Sequence, residues 1–365
     1  MFNKIRVGLL HLFESAEGKT EKEFYNENIE IIEFADAVGL DTAWFAEHHF
    51  SEYGVMPSIQ VLSSFVAART KRIRLGSGVV VLPFHNPIRV AEEFAMLDIL
   101  SDGRVDFGVG RGYQPHEFEG YNIPISESRE RFEEMLQIIK MAWTEDEVNF
   151  HGKFFKFNKV KVRPKPLQKP YPPFFGASFN PQTIKFQAQK KMNLLFTSLL
   201  ASPENINEYR QTLENLGENP DEYRICSLVF VYVDEDRERA IRDFEKPCMW
   251  YFRKFTQLIP AVKYPKSEDF YSNLHNILSE YIKAYDNGKL TFKYTVEEGP
   301  FSHGFLVGDP DYVLEKMRSL AQNYKLTDIL CWTRLGGLDH KKVKRSMELL
   351  CEKVLPRLNN SQNAQ

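Results

Sequence analysis

Apolar positions along this chain follow two alternating rhythms. Short runs that are apolar almost throughout, such as residues 5–13 and 73–82, give way to longer stretches in which apolar residues recur every three or four positions. The first pattern predicts strands buried on both faces, and the second predicts amphipathic helices. Phe24, Ile31, Ala35 and Val38 share one face of a helix over about 20–38, which Gly39 is placed to end. A strand over about 42–48 and a helix over about 57–68 come next. After the strand at 73–82, Asn86 and Pro87 supply a cap and a first-turn proline for a helix reaching about Leu100. A fourth strand at 105–109 leads into a longer loop to about Pro124, and a helix over 128–143 buries Phe132, Met135, Leu136, Ile139 and Trp143.

Residues 145–172 interrupt this rhythm with short strands around His151 and a proline-rich connector. Strands then resume at 174–178, 194–198, 225–233 and 328–333, and Asp339 caps a final helix through Val354. The stretch 234–305 is helical in places and rich in Tyr, Phe and Trp, and Gly308-Asp309-Pro310 opens a further helix. Eight strands, each followed by helical sequence, close most naturally into a (β/α)8 TIM barrel with insertions, an α/β fold spanning residues 1–365 as one domain. A doubly wound open sheet is the alternative, but the GxGxxG expected after its first strand is missing.

Composition narrows the function classes. The net charge is −3 and Lys and Arg form no stripe, which argues against nucleic acid as a partner. No apolar run approaches the roughly 18 residues of a membrane helix, so no membrane association is expected. The first residues do not read as a signal peptide. Four cysteines with no CxxC pair fit a reducing cytoplasm and give little support to a zinc site. The 29 phenylalanines suit either a roomy apolar pocket or a Phe-packed core.

A TIM barrel places its active site at the C-terminal ends of its strands. Those ends carry His11 and Phe13, then Glu47-His48-His49, then Phe84 and His85, then Arg111, then Ala177 and Ser178, and finally Trp332 and Arg334. A metal site is disfavoured, because barrel hydrolases pair two histidines on strand one and this chain has His11 alone. A histidine acting as proton carrier beside an organic cofactor is the better reading. His49 and His85 read as structural or pocket-lining. Arg111, flanked by Gly110 and Gly112, suits either bidentate phosphate binding or an ion pair at the barrel mouth. Ala177 and Ser178 precede a helix starting near Asn180-Pro181, whose unpaired N–H groups attract an anion.

Several segments, in this order, resemble the bacterial luciferase-like flavin-dependent monooxygenases. They are Trp44-Phe45-Ala46-Glu47-His48-His49-Phe50, Val80-Val81-Leu82-Pro83 with Asn86-Pro87-Ile88-Arg89, Ser101-Asp102-Gly103-Arg104, Gly108-Val109-Gly110-Arg111-Gly112 and Gly336-Gly337-Leu338. The resemblance covers nearly the whole chain and implies a TIM barrel that binds reduced FMN. It makes His48 the catalytic histidine and Arg111 the phosphate grip, with Ala177 and Ser178 beside the phosphate. It puts a non-proline cis peptide at Gly78–Val79, against the flavin ring. It also implies oxidation of a small organic substrate through a C4a-peroxyflavin formed with dioxygen. The substrate pocket is expected to include His11, Phe13, His49, Phe84, His85 and Trp332, with 234–305 folding over it as a lid. The chain has no NAD(P)H motif, so a separate flavin reductase is the expected partner, and a homodimer is the expected assembly. Gly110 stands where the luciferase α chain has a cysteine, so light emission is not implied. An F420-dependent oxidoreductase and a non-catalytic flavin-binding protein on the same scaffold are the alternatives.

Overall fold

The computed structural model describes residues 4–15, 18–178, 180–260 and 269–359. Eight parallel strands close a barrel: β1 (Arg6–His11), β2 (Thr42–Phe45), β3 (Arg74–Ser77) with its continuation β4 (Val80–Val81), β5 (Val105–Gly110), β8 (Phe174–Ser178), β9 (Asn193–Thr197), β10 (Ile225–Val233) and β12 (Asp328–Trp332). The ring closes where β1 pairs with β12, Arg6 opposite Asp328 and Leu9 opposite Cys331. Helices follow the barrel strands around the outside, among them α1 (Glu21–Val38), α2 (Ile59–Arg69), α3 (Pro87–Leu100), α5 (Ser128–Thr144), α6 (Pro181–Gln189), α7 (Pro203–Asn215) and α12 (His340–Leu349). The architecture is a (β/α)8 TIM barrel.

Local chemistry explains where the helices begin. Thr20 and Glu23 form a reciprocal capping box at the start of α1. The Asn86 side chain accepts from the N–H groups of Ile88 and Arg89, and Pro87 occupies the first turn of α3. Inside the barrel, Trp44 crosses to meet Phe175 edge to face at 4.9 Å. It fills the space beside Gly76, where any Cβ would overlap its ring.

Three features depart from the pattern reading. The third strand is split, because the chain leaves the ladder at the cis Gly78–Val79 peptide and rejoins it at Val80. The loop after β5 contains a one-and-a-half-turn helix, α4 (Pro115–Gly120), too short to show a period. The short strands expected around His151 are a hairpin of β6 (Val148–His151) and β7 (Lys156–Val160). Between β10 and the last barrel strand lie α8 (Arg237–Leu258), α9 (Asp269–Asp286) and α10 (Phe292–Glu297), then a ninth strand, β11 (Phe305–Gly308), and α11 (Pro310–Asn323). β11 pairs with Phe230–Val233, the part of β10 that projects beyond its pairing with β9. Its four residues merge with the Gly-Asp-Pro turn that follows, so sequence pattern alone does not separate them.

The N-terminal ends of the strands are joined by buried charge. Arg224, just before β10, reaches Asp106 of β5 at 2.6 Å and also pairs with Asp328 of β12. Arg74 of β3 holds the other oxygen of Asp106 at 2.7 Å. Burial alone would raise the Asp106 carboxyl, but the Arg224 and Arg74 guanidiniums outweigh it and hold the group below its ordinary value. Removing one partner from such a network leaves uncompensated buried charge. We predict that Arg224→Ala loses about 3–5 kcal/mol of stability in a denaturant titration. The depressed Asp106 carboxyl contributes stability that is fully present above its unfolded value of about 4 and is lost as pH falls through its lower folded value. Acid unfolding of the parent protein below about pH 4, blunted in the Arg224 variant, is the accompanying signature.

Candidate active site

The C-terminal strand ends open into one cavity of about 1280 Å³, part of it continuous with solvent. Its inner wall comes from Leu10, Gly78, Val79, Gly110, Arg111, Ala177 and Ser178. The Gly78–Val79 peptide is cis, at the position where the resemblance puts one. Gly110 lies flush against Val79, and a Cβ there would overlap the valine methyl. The β5–β8 register pairs Val109 with Gly176, and two residues further along each strand stand Arg111 and Ser178. The Arg111 guanidinium lies 3.4 Å from the Ser128 hydroxyl at the start of α5. The Ser178 hydroxyl donates to the Asn180 carbonyl at 2.7 Å. Thr183, in the first turn of α6, joins this end of the wall, a position the sequence reading missed.

His48 lines the same cavity, just past the end of β2. Its Nδ1 lies 3.0 Å from Glu117 Oε1, and that oxygen also accepts the His49 backbone N–H at 2.9 Å. A carboxylate accepts, so the hydrogen of this bond sits on Nδ1 and Nε2 is left as the exchangeable nitrogen. Tyr53 packs edge to face on the imidazole at 4.9 Å. Glu117 is fully buried on α4, and the sequence reading missed it. The signal was an acid six residues beyond Arg111, but nothing in the sequence says that this short helix turns back to β2.

The other histidines occupy different places from those expected. His49 and His85 do not line the cavity; both turn to Glu47, with Nε2 to Oε1 distances of 2.9 and 2.8 Å. The other Glu47 oxygen accepts the Val81 N–H at 3.0 Å. A buried carboxylate needs such partners. Burial would raise Glu47, but hydrogen bonds from His49, His85 and Val81 prevail and hold it low. Phe84 stacks on Tyr121 behind the same wall. His11 and Phe13 are also absent from the cavity lining. His11 is sealed against Asn28, 3.4 Å from its Nδ1, and burial pushes its pKa down to about 4. Of the six expected pocket residues, Trp332 alone lines the cavity, its indole N–H donating to the Arg334 carbonyl. Among the described residues, no group of three or more His, Cys, Asp or Glu is gathered to hold a metal ion.

The outer wall is mainly aromatic, with Leu274 and Leu278 of α9 among the rings. Tyr251, Phe252 and Phe255 of α8 and Tyr271 of α9 face Tyr53, Tyr113 and Trp332. No described helix is long and apolar enough to cross a membrane.

The Glu47 cluster generates a pH prediction. Burial tends to lower His85, but the Glu47 hydrogen bond and charge outweigh it, so the net shift is upward. A raised histidine contributes stability that is fully present below its unfolded value of about 6.5 and is lost as pH rises through its folded value. We expect stability to decline from about pH 6.5 upward, and His85→Asn to flatten that decline. Urea unfolding at a series of pH values checks it, and an unchanged slope in the variant would count against the pairing.

The chain matches the luciferase-like monooxygenase family over residues 5–324. It is 35% identical over 199 residues to the oxygenase component of a flavin-dependent trigonelline monooxygenase from Acinetobacter baylyi, a match covering 54% of this chain and 55% of that protein. It is 25% identical over 351 residues to the alkanal monooxygenase alpha chain of the Kryptophanaron alfredi symbiont, covering 94% of this chain and 95% of that one. Among solved structures, the oxygenating constituent of 3,6-diketocamphane monooxygenase from Pseudomonas putida, in complex with FMN, superposes with a TM-score of 0.80 at 20% identity, covering 97% of this chain and 99% of that chain. A coenzyme F420 dependent tetrahydromethanopterin reductase from Methanopyrus kandleri shares the fold at a TM-score of 0.72 and 19% identity, covering 97% and 99%. With the family matched from the first strand through α11, and His48 and Arg111 set on one cavity at the barrel mouth, the chain belongs to the luciferase-like monooxygenase family.

Proposed function

We propose that this chain uses reduced FMN and dioxygen to oxidise a small organic substrate, with the reduced flavin delivered by a separate reductase. The observation that carries this reading is the single cavity with Arg111 at one end, bare glycine wall in the middle and a carboxylate-anchored His48 beyond. Arg111, Thr183 and the N-terminal N–H groups of α6 suit the FMN phosphate. Ser178 would add a donor only by turning from the Asn180 carbonyl. Gly78 and Gly110 let a flat ring approach the backbone. Reduced flavin would supply the two electrons with which dioxygen gives one oxygen atom to the substrate and leaves the other as water.

The protein's own part is proton handling and exclusion of water. Glu117 holds the His48 ring so that Nε2 can give or take a proton at the reacting oxygen. The α8–α9 layer covers the site as a lid and keeps the reacting groups dry. The relative named as an oxygenase component supports a two-protein arrangement.

A second copy of the chain is the proposed assembly. α2 and α3 lie side by side and leave Val61, Phe65, Met96 and Leu100 about half or more exposed. An apolar patch of this kind on two adjacent helices suits a self-complementary interface. Sedimentation should show a dimer for the parent protein and a monomer for a Val61→Glu, Leu100→Glu double variant. A monomeric parent would refute the assembly.

The flavin reading is tested by titration and oxygen uptake. Reduced FMN should bind at micromolar affinity or tighter, and Arg111→Ala should weaken it at least tenfold. His48→Ala should keep FMN affinity within about threefold while productive oxygenation falls by about 10²-fold or more and the consumed oxygen returns as hydrogen peroxide. Binding of F420 with none of FMN would overturn the proposal.

A further inference from the structure

The outer half of the cavity differs chemically from the inner half. Among the described lining residues, Arg111 is the one Lys or Arg, and it stands at the inner end beside Ser178. The two lining carboxylates are already committed, Glu117 to His48 and Glu47 to His49 and His85. The outer chamber is walled instead by ring faces and edges, with Leu274 and Leu278 of α9 and Leu199 and Leu200 between them. Tyr251 meets Trp332 edge to face at 4.7 Å and lies parallel to Phe255 at 5.8 Å. Tyr113 lies parallel to Tyr271 at 5.7 Å.

Three phenol groups in this wall form a chain. Tyr53 stands between Tyr113, 3.4 Å away, and Tyr251, 3.3 Å away. Burial pushes all three hydroxyls above their ordinary pKa, so each keeps its hydrogen at neutral pH. Either hydroxyl of each link can be the donor, and Tyr113 has further interactions outside this chain. The Gln114 amide donates to the Tyr113 oxygen at 3.1 Å. A hydroxyl that accepts becomes a better donor, so this bond favours transfer of direction from Tyr113 to Tyr53 to Tyr251. With Tyr53 donating to Tyr251, the Tyr251 hydrogen is left for the cavity that this residue lines.

We propose that this chamber takes a neutral aromatic molecule with one acceptor oxygen, seated on the aromatic wall and hydrogen-bonded to the Tyr251 hydroxyl. The proposal deepens the flavin reading, which assigns the inner half of the cavity to the cofactor. A charged ligand would lose its hydration here without gaining a counter-charge. An aliphatic ligand would gain burial but not the edge-to-face contacts that the rings offer. Tyr251 thus sets specificity, because its hydrogen can meet an incoming oxygen while its own oxygen still accepts from Tyr53 at 3.3 Å.

The test is isothermal titration of the full-length protein, with and without FMN, using acetophenone, ethylbenzene, benzoate, N-methylpyridinium and hexanal as probes. Acetophenone should bind at least tenfold more tightly than benzoate, N-methylpyridinium or hexanal. Tyr251→Phe should weaken acetophenone about tenfold and leave ethylbenzene within twofold, a split that general damage to the chamber would not produce. Equal loss for both probes, unchanged acetophenone affinity in the variant, or preference for either charged probe or for hexanal would overturn the proposal. FMN titrations on the same samples separate the two readings. Absence of FMN binding by the parent protein defeats the cofactor assignment, whereas the acetophenone–ethylbenzene comparison without FMN judges the chamber alone.

Discussion

The geometry of the active end depends on the charge network at the opposite end of the barrel. Arg224 spans from β10 to Asp106 on β5 and Asp328 on β12, and Arg74 adds β3 to the same cluster. These strands are not all neighbours, so the network ties the floor across the barrel as well as around it. Buried ion pairs of this kind contribute little net stability against a well-packed apolar replacement, but they tolerate few alternative geometries. Trp44 and Phe175 pack directly above, with the Arg224 guanidinium over the Phe175 ring at 4.8 Å. A floor held in this way fixes strand tilt and register, and the positions of His48, Arg111 and Ser178 at the other ends of β2, β5 and β8 follow from them.

At those ends, two buried carboxylates do most of the arranging. Glu117 takes His48 and the His49 N–H; Glu47 takes the His49 ring, the His85 ring and the Val81 N–H. Adjacent histidines in one motif therefore have different duties. One ring lines the cavity, and the other braces the wall where β3 is interrupted and β4 begins. The division costs the protein two desolvated acids, which is offset only because every hydrogen bond in the pair of clusters has an ionic or strongly polar partner.

The sequence made the barrel legible because buried parallel strands are apolar throughout and their helices announce themselves with caps. Thr20, Asn86, Asp309 and Asp339 each stand at the helix start that the pattern predicted. What it hid was set by tertiary pairing. β11 exists because the end of β10 projects past β9 and needs a partner, a fact with no local signature. Glu117 matters only because α4 folds back on β2. His49 and His85 stood at strand ends like His48, and the residue that separates their roles is Glu47, whose choice of partners cannot be read from spacing alone. His11 shows the same limit, for a histidine at a barrel rim can still be sealed beneath the cavity wall.

The two halves of the cavity have different structural origins, and this bears on how specificity arises. The inner wall is built from the ends of β1, β5 and β8 and from the Gly78–Val79 link between β3 and β4, all held by the closed parallel pairing around them. Little can vary there without disturbing the barrel itself. The outer wall is built mainly from α8 and α9, which lie between the end of β10 and the short strand β11. Helices outside the ring can exchange Tyr251, Phe255 or Tyr271 for other side chains without breaking a ladder hydrogen bond. A scaffold of this kind can hold one cofactor chemistry constant while its helical cover determines which molecule is brought to it.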